Sequence, residues 1–137
     1  MFLGALQSKE EKEHFISLII NIGKIDGDFT ENEKNQVLAY ANEMGITLDD
    51  NNKYNDNIDY LIDYFANNSS QIAKKAVFIE IIALMLVDGM KDEEEELLNK
   101  IIEKFNFNET YKKKVINWYS KILPLYSEGF KLLEEGE

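Results

Sequence analysis

Apolar side chains recur along this chain at intervals of three and four residues, the spacing that lines one face of a helix. Phe15, Leu18, Ile19, Ile22 and Ile25 form the first such stripe, with His14, Ser17, Asn21 and Lys24 on the other side. Ser8-Lys9-Glu10-Glu11 has the form of a capping box at its start, and Asp26-Gly27 supplies a stop. A second box, Thr30-Glu31-Asn32-Glu33, opens a helix that turns Val37, Leu38, Ala41 and Met44 inward and ends at Gly45. Thr47 to Asn57 is rich in Asn and Asp and reads as a loop. Ile58, Leu61, Ile62 and Phe65 mark a short helix closed by Asn67-Asn68-Ser69-Ser70. From Gln71 to Asp88 apolar residues surround the helix on every side, which places it in the middle of a bundle. Asp92 is the predicted cap of a helix bearing Leu97, Leu98, Ile101, Ile102 and Phe105. Asn108 opens a last one through Tyr111, Val115, Trp118, Tyr119 and Ile122, which Pro124 breaks or kinks before a final turn or two. No segment alternates with period two. The pattern predicts an all-α, compact bundle of about six or seven helices, one domain over residues 1–137.

One motif occurs twice, 62 positions apart: Ile25-Asp26-Gly27-Asp28-Phe29-Thr30-Glu31-Asn32-Glu33 and Val87-Asp88-Gly89-Met90-Lys91-Asp92-Glu93-Glu94-Glu95. Each copy joins an apolar helix to a capped one, so the repeating unit is a helical hairpin. Two such units predict two hairpins packed in related geometry, built around Gly27 and Gly89.

Composition narrows the function more than the fold. A net charge of −11 over 137 residues disfavours nucleic acid and anionic membranes as partners. All 15 basic residues are Lys, so the side chain best suited to bidentate phosphate recognition is missing. Without Cys there is no disulfide, zinc-thiolate or thiol chemistry. The longest apolar run, Ala76 to Val87, contains Glu80 and falls short of the roughly 20 residues of a membrane span. The opening residues are too short for a signal peptide before Lys9-Glu10-Glu11-Lys12. The expectation is a cytoplasmic protein with no direct membrane insertion, whose natural partners are cations and basic protein surfaces.

The two Asp-Gly motifs, each after an apolar helix and each followed by Glu seven residues beyond its Asp, resemble those of the TerB-like tellurite-resistance family. The matching residues are Ile25-Asp26-Gly27, Thr30 and Glu33, and Val87-Asp88-Gly89, Asp92 and Glu95; Lys74-Lys75-Ala76-Val77-Phe78-Ile79-Glu80 is also similar. The resemblance spans roughly Phe15 to Phe107. It implies two pseudo-symmetric helical hairpins and a part in bacterial resistance to tellurite and other stresses, alongside other proteins of a stress-response complex. It also implies acidic residues with a role in metal chelation, and it brings no enzymatic reaction.

The carboxylates admit two readings. Hard divalent cations such as Ca²⁺ and Mg²⁺ take clustered oxygen ligands, which makes Asp26, Glu33, Asp88 and Glu95 the candidate metal ligands. The first copy matches the later half of an EF-hand loop, but the two early ligand positions fall on Ile22 and Lys24, and in the second copy on Leu84 and Leu86. This is not an EF-hand. The other reading makes Thr30 and Asp92 N-caps, with Glu33 and Glu95 completing capping boxes and the negative charge favoured by the helix dipole. The protein is then an interaction module without a metal. A hydrolase using the carboxylates as general acid and base is a third class with little behind it, because two carboxylates without a pocket are not a mechanism.

Three other features call for a role. Glu80 sits among apolar residues, where a carboxylate is costly unless paired, so a salt bridge or capping contact to another helix is expected. It lies about 12 Å along the axis from Asp88, too far for both to clasp one ion. His14, the single histidine, falls on the polar face and reads as a surface residue. Tyr54, Tyr60, Tyr64, Trp118 and Tyr119 offer aromatics for a partner surface, though their helical spacing suits packing.

Overall fold

A computed structural model of the chain describes residues 1–25, 29–48, 57–87 and 89–136. Among them there are six α-helices and no strand: α1 (Lys9–Gly23), α2 (Glu31–Met44), α3 (Ile58–Asn68), α4 (Gln71–Val87), α5 (Asp92–Phe105) and α6 (Glu109–Glu134), preceded by one 3-10 turn, Leu3–Ala5. The caps explain most of these limits. The Ser8 and Glu11 box opens α1, and the side chains of Asn57 and Asn108 accept from Tyr60 and Tyr111 to open α3 and α6. Gly45, at φ 70°, closes α2 in the left-handed conformation.

The helices pair as two hairpins, α1 on α2 and α4 on α5, while α3 packs on α1 and α5, and α6 packs on α4. The core runs through all of them, with Phe15, Phe65, Phe78 and Phe105 fully enclosed. α4 is buried around most of its circumference, as expected of a central helix, with Ile72 in its first turn and Val87 at its end strongly exposed. Lys100 and Lys104 of α5 pair with Asp59 and Asp63 of α3, lacing the two helices on the outside.

Several expectations need correction. Leu38 is 49 % exposed; the inward stripe of α2 is Val37, Tyr40, Ala41 and Met44. Ser17 is buried rather than on the polar face, and its hydroxyl has no hydrogen-bond partner among the described residues. α1 ends at Gly23, three residues before Asp26. Pro124 does not break α6. It falls opposite the Val115–Tyr119 face, and both Pro124 and Ser120, whose carbonyl it leaves without an amide donor, are exposed residues. The expected Thr47–Asn57 loop lies mostly outside the described residues.

Candidate functional site

The two acidic motifs are built differently. In the first, Thr30 caps α2 through a reciprocal box: its Oγ1 accepts from the Glu33 amide at 3.2 Å, and Glu33 Oε1 accepts from the Thr30 amide and hydroxyl, both at 3.0 Å. Glu33 Oε2 is left over from the cap and rests against Gly23, where a Cβ would come within 2.6 Å of it and 2.8 Å of the Phe29 ring. Gly23 is therefore the residue that lets the Glu33 carboxylate and the Phe29 ring close onto the end of α1.

In the second motif the cap falls one residue earlier than expected. The N-cap is Lys91, not Asp92, and its amide donates to Glu94 Oε1 at 3.1 Å, so Glu94 rather than Glu95 reaches back. The Lys91 side chain carries no acceptor to return the bond. Gly89 takes φ 83°, the left-handed turn that a glycine permits at this junction. Glu95 instead turns toward Lys112, 3.7 Å away. That lysine is buried between α5 and α6, where it also holds Asn99 Oδ1 at 3.1 Å and Glu109 at 3.3 Å. Of the four candidate ligands, Asp26 and Asp88 lie outside the described residues. Glu33 and Glu95 have the separate partners just given, and no group of three acidic or imidazole side chains that could hold an ion occurs among the described residues.

A second cluster adjoins the first motif and shares Glu33 with it. An open cleft of about 530 Å³ runs between α2, α4 and α6. Glu33, Gln36, Tyr40 and Glu43 line it from one stripe of α2, and Glu80, Ala83, Leu84 and Val87 from one stripe of α4. Tyr119 and Tyr126, two turns apart on α6, complete the wall. Glu80, only 3 % exposed, accepts from the Phe2 amide at 2.9 Å, and Glu43 accepts from the Leu3 amide at 3.1 Å. Together they cap the 3-10 turn, the kind of contact that a buried carboxylate requires. Both also hold the Met1 ammonium, each at 2.8 Å.

The electrostatics follow from this arrangement. Burial pulls the pKa of the Met1 ammonium down, but the hydrogen bonds to Glu43 and Glu80, with the charges behind them, outweigh it and raise it above 8.0. Burial first, then the Glu80 charge, push the Tyr40 phenol far above its ordinary range. Burial likewise raises Tyr119, with smaller contributions from Tyr126 and Glu80. The cleft is a place where positive charge is favoured and added negative charge is resisted.

His14 is half-buried, stacked on Tyr64 with ring centroids 4.0 Å apart, and its Nδ1 lies 2.7 Å from the Glu10 carbonyl. Tyr60 and Tyr64 thus pack at the boundary of α1 and α3, and Tyr54 lies outside the described residues. Gln36, Tyr40 and Glu43 were not recognisable as a site from the sequence. Their shared stripe was visible, but the helix facing them was not. No family model, curated protein or solved structure matches this chain.

Proposed function

We propose that this chain is a non-catalytic binding module of TerB-like type, acting in a bacterial tellurite or stress response through contacts with other proteins. The observation that carries the reading is the cleft between α2, α4 and α6, where three carboxylates and three tyrosines gather and an ammonium is already seated between Glu43 and Glu80. A basic side chain of a partner is the group that such a surface complements. The all-helical architecture and the two Asp-Gly motifs of the sequence support the family resemblance, which brings the stress-response setting with it. No helix among the described residues is long and apolar enough to cross a membrane.

A second reading keeps a divalent cation, Ca²⁺ or Mg²⁺, at Asp26, Glu33, Asp88 and Glu95. What favours it is Glu33 Oε2, which its cap does not use and which sits at the Gly23 end of α1, close in sequence to Asp26. One titration separates the two. Amide shifts of the ¹⁵N-labelled protein are followed at matched ionic strength with Ca²⁺, Mg²⁺ or a short lysine-containing peptide, because a charge of −11 is screened by any salt. Peptide-induced shifts at Gln36, Tyr40 and Ala83 that Glu43→Gln weakens support the cleft. Cation-specific shifts at Thr30 and Glu33 that Glu33→Gln removes support the metal. Neither response at millimolar ligand rejects both.

A further inference from the structure

The cleft between α2, α4 and α6 holds its charge at two ends and its apolar surface in between. At one end Glu43 and Glu80 share the Met1 ammonium. Glu33 lies ten residues from Glu43 on α2, about 15 Å along the axis, and marks the other end. Three carboxylates thus face one ammonium, and no Lys among the described residues lines the cleft. One negative charge is left over at each end. The stretch between them is small and apolar, with Ala39 on α2 and Ala83 and Leu84 on α4.

This surface gives an incoming chain little to hydrogen-bond with. There is no strand among the described residues, and so no sheet edge for an extended peptide to join. Gln36 and the Tyr40 hydroxyl, polar groups midway along α2, are hydrogen-bonded to each other. An extended segment pressed against Ala39, Ala83 and Leu84 would bury backbone amides and carbonyls without partners, at a cost for each. A helix arrives with its backbone already paired and presents only side chains. The walls and floor of the cleft are themselves helical stripes, the framing that receives a further helix in a groove.

We infer that the cleft takes a helix of a partner protein, about three turns long, with two basic residues eleven positions apart and small or apolar residues on the same face between them. The inference rests on the cleft being the binding surface proposed above and specifies its occupant. Eleven residues are three turns and about 16.5 Å, so the two basic side chains stand on one face at close to the separation of the two charged ends. Charge complementarity selects the basic helix, since an acidic one would bring like charge to both ends. The spacing also points away from a second copy: no two of the 15 lysines of this chain are eleven positions apart.

The test uses a fluorescein-labelled sixteen-residue peptide of helix-forming residues, with lysines at its third and fourteenth positions and alanine or leucine at the sixth, seventh and tenth. Its affinity for the full chain is read by anisotropy at about 150 mM salt, and its position by amide shifts of the ¹⁵N-labelled protein. The helical peptide should bind with shifts at Gln36, Ala39 and Ala83. A proline at its eighth position keeps both charges but breaks the helix, and should weaken binding about a hundredfold. Moving the second lysine to the twelfth position turns it to the opposite side of the helix and should weaken binding about tenfold. Ala39→Arg, at an exposed position in the middle of the cleft, should abolish binding while the melting of the bundle persists. Glu33→Gln should weaken binding, and in that variant replacing one of the two peptide lysines by glutamine should cost nothing further, while replacing the other still does.

Equal affinity for the proline peptide, or for the peptide with the displaced lysine, overturns the helix and leaves the cleft as a site for single basic side chains. So does a helical peptide that fails where the short lysine-containing peptide binds. Binding indifferent to Ala39→Arg, or shifts confined to Phe130 and Leu133, puts the peptide elsewhere and overturns the inference. If neither peptide binds, the cleft reading itself falls and the inference falls with it.

Discussion

The two hairpins answer the same packing problem with opposite distributions of size. At the first, the end of α1 carries Gly23, and the ring of Phe29 closes onto it from the following turn. At the positions 62 residues on, the helix carries Met85, buried in the core, and the turn carries Lys91, exposed. One junction puts bulk in the turn and none in the helix; the other does the reverse. The acidic residues diverge with them. Glu33 completes a reciprocal cap with Thr30, while its sequence counterpart Glu95 turns to Lys112 and leaves the cap to Glu94. A repeated motif thus preserves the order helix, turn, capped helix without preserving which atom does which work. Transferring a ligand role from one copy to the other by position alone has no basis here.

The size exchange predicts the largest effects. Met85→Ala removes a buried side chain from α4 and should cost about 2–5 kcal/mol, as large-to-small core changes do. Gly23→Ala would ordinarily help a helix, because alanine has the higher propensity. Here it must displace Phe29 and the Glu33 carboxylate, so the sign should invert and the loss be about 1–3 kcal/mol. Urea denaturation of both variants measures the pair. A Gly23→Ala protein as stable as the parent would mean that Phe29 does not close onto α1, and the contrast between the hairpins would fail.

Most of the helical order was legible because local chemistry sets it: Ser8, Thr30 and Asn108 announce three of the helix starts, and Gly45 one of the ends. The cap of α5 was misread because Asp92-Glu93-Glu94-Glu95 offers several carboxylates in adjacent registers. The choice between them depends on the turn around Gly89, not on residue type. Leu38 was misassigned, and Tyr40 left out of the inward stripe, for a related reason. Both are apolar enough for a core stripe, and only the angle at which α2 meets α1 and α4 decides between them. The cleft was not legible at all. Glu43 and Glu80 lie 37 positions apart on different helices and meet only around Met1, a long-range contact that no local pattern encodes.

That meeting point gives a pH prediction, because Glu43 belongs to the first hairpin and Glu80 to the second. The folded protein holds the Met1 ammonium with a pKa raised above 8.0. Its contribution to stability is therefore complete below about pH 8 and is lost as pH rises through the folded value. Above about pH 10 the raised phenols of Tyr40 and Tyr119 add a loss of the same sign, since unfolding lets them ionise. Stability measured by denaturant between pH 7 and 9.5 should fall, and acetylating the α-amine should flatten the curve in that window. An unchanged slope after acetylation would remove the ammonium as the link between the hairpins.

The smallest effects test which glutamate caps each hairpin. Glu33→Ala removes the acceptor of both the Thr30 amide and hydroxyl and should cost about 1 kcal/mol, while Glu94→Ala removes the acceptor of the Lys91 amide and should cost about half that. Glu95→Ala weakens one side of the Lys112 cluster, but Asn99 and Glu109 still satisfy the buried ammonium, so its cost should be of the same small order. Stability alone does not resolve differences of this size, but amide exchange does. The Lys91 amide should lose protection in Glu94→Ala and keep it in Glu95→Ala, and the Thr30 amide should lose it only in Glu33→Ala. The reverse result at Lys91 would restore the strict 62-residue correspondence and return Glu95 to the cap.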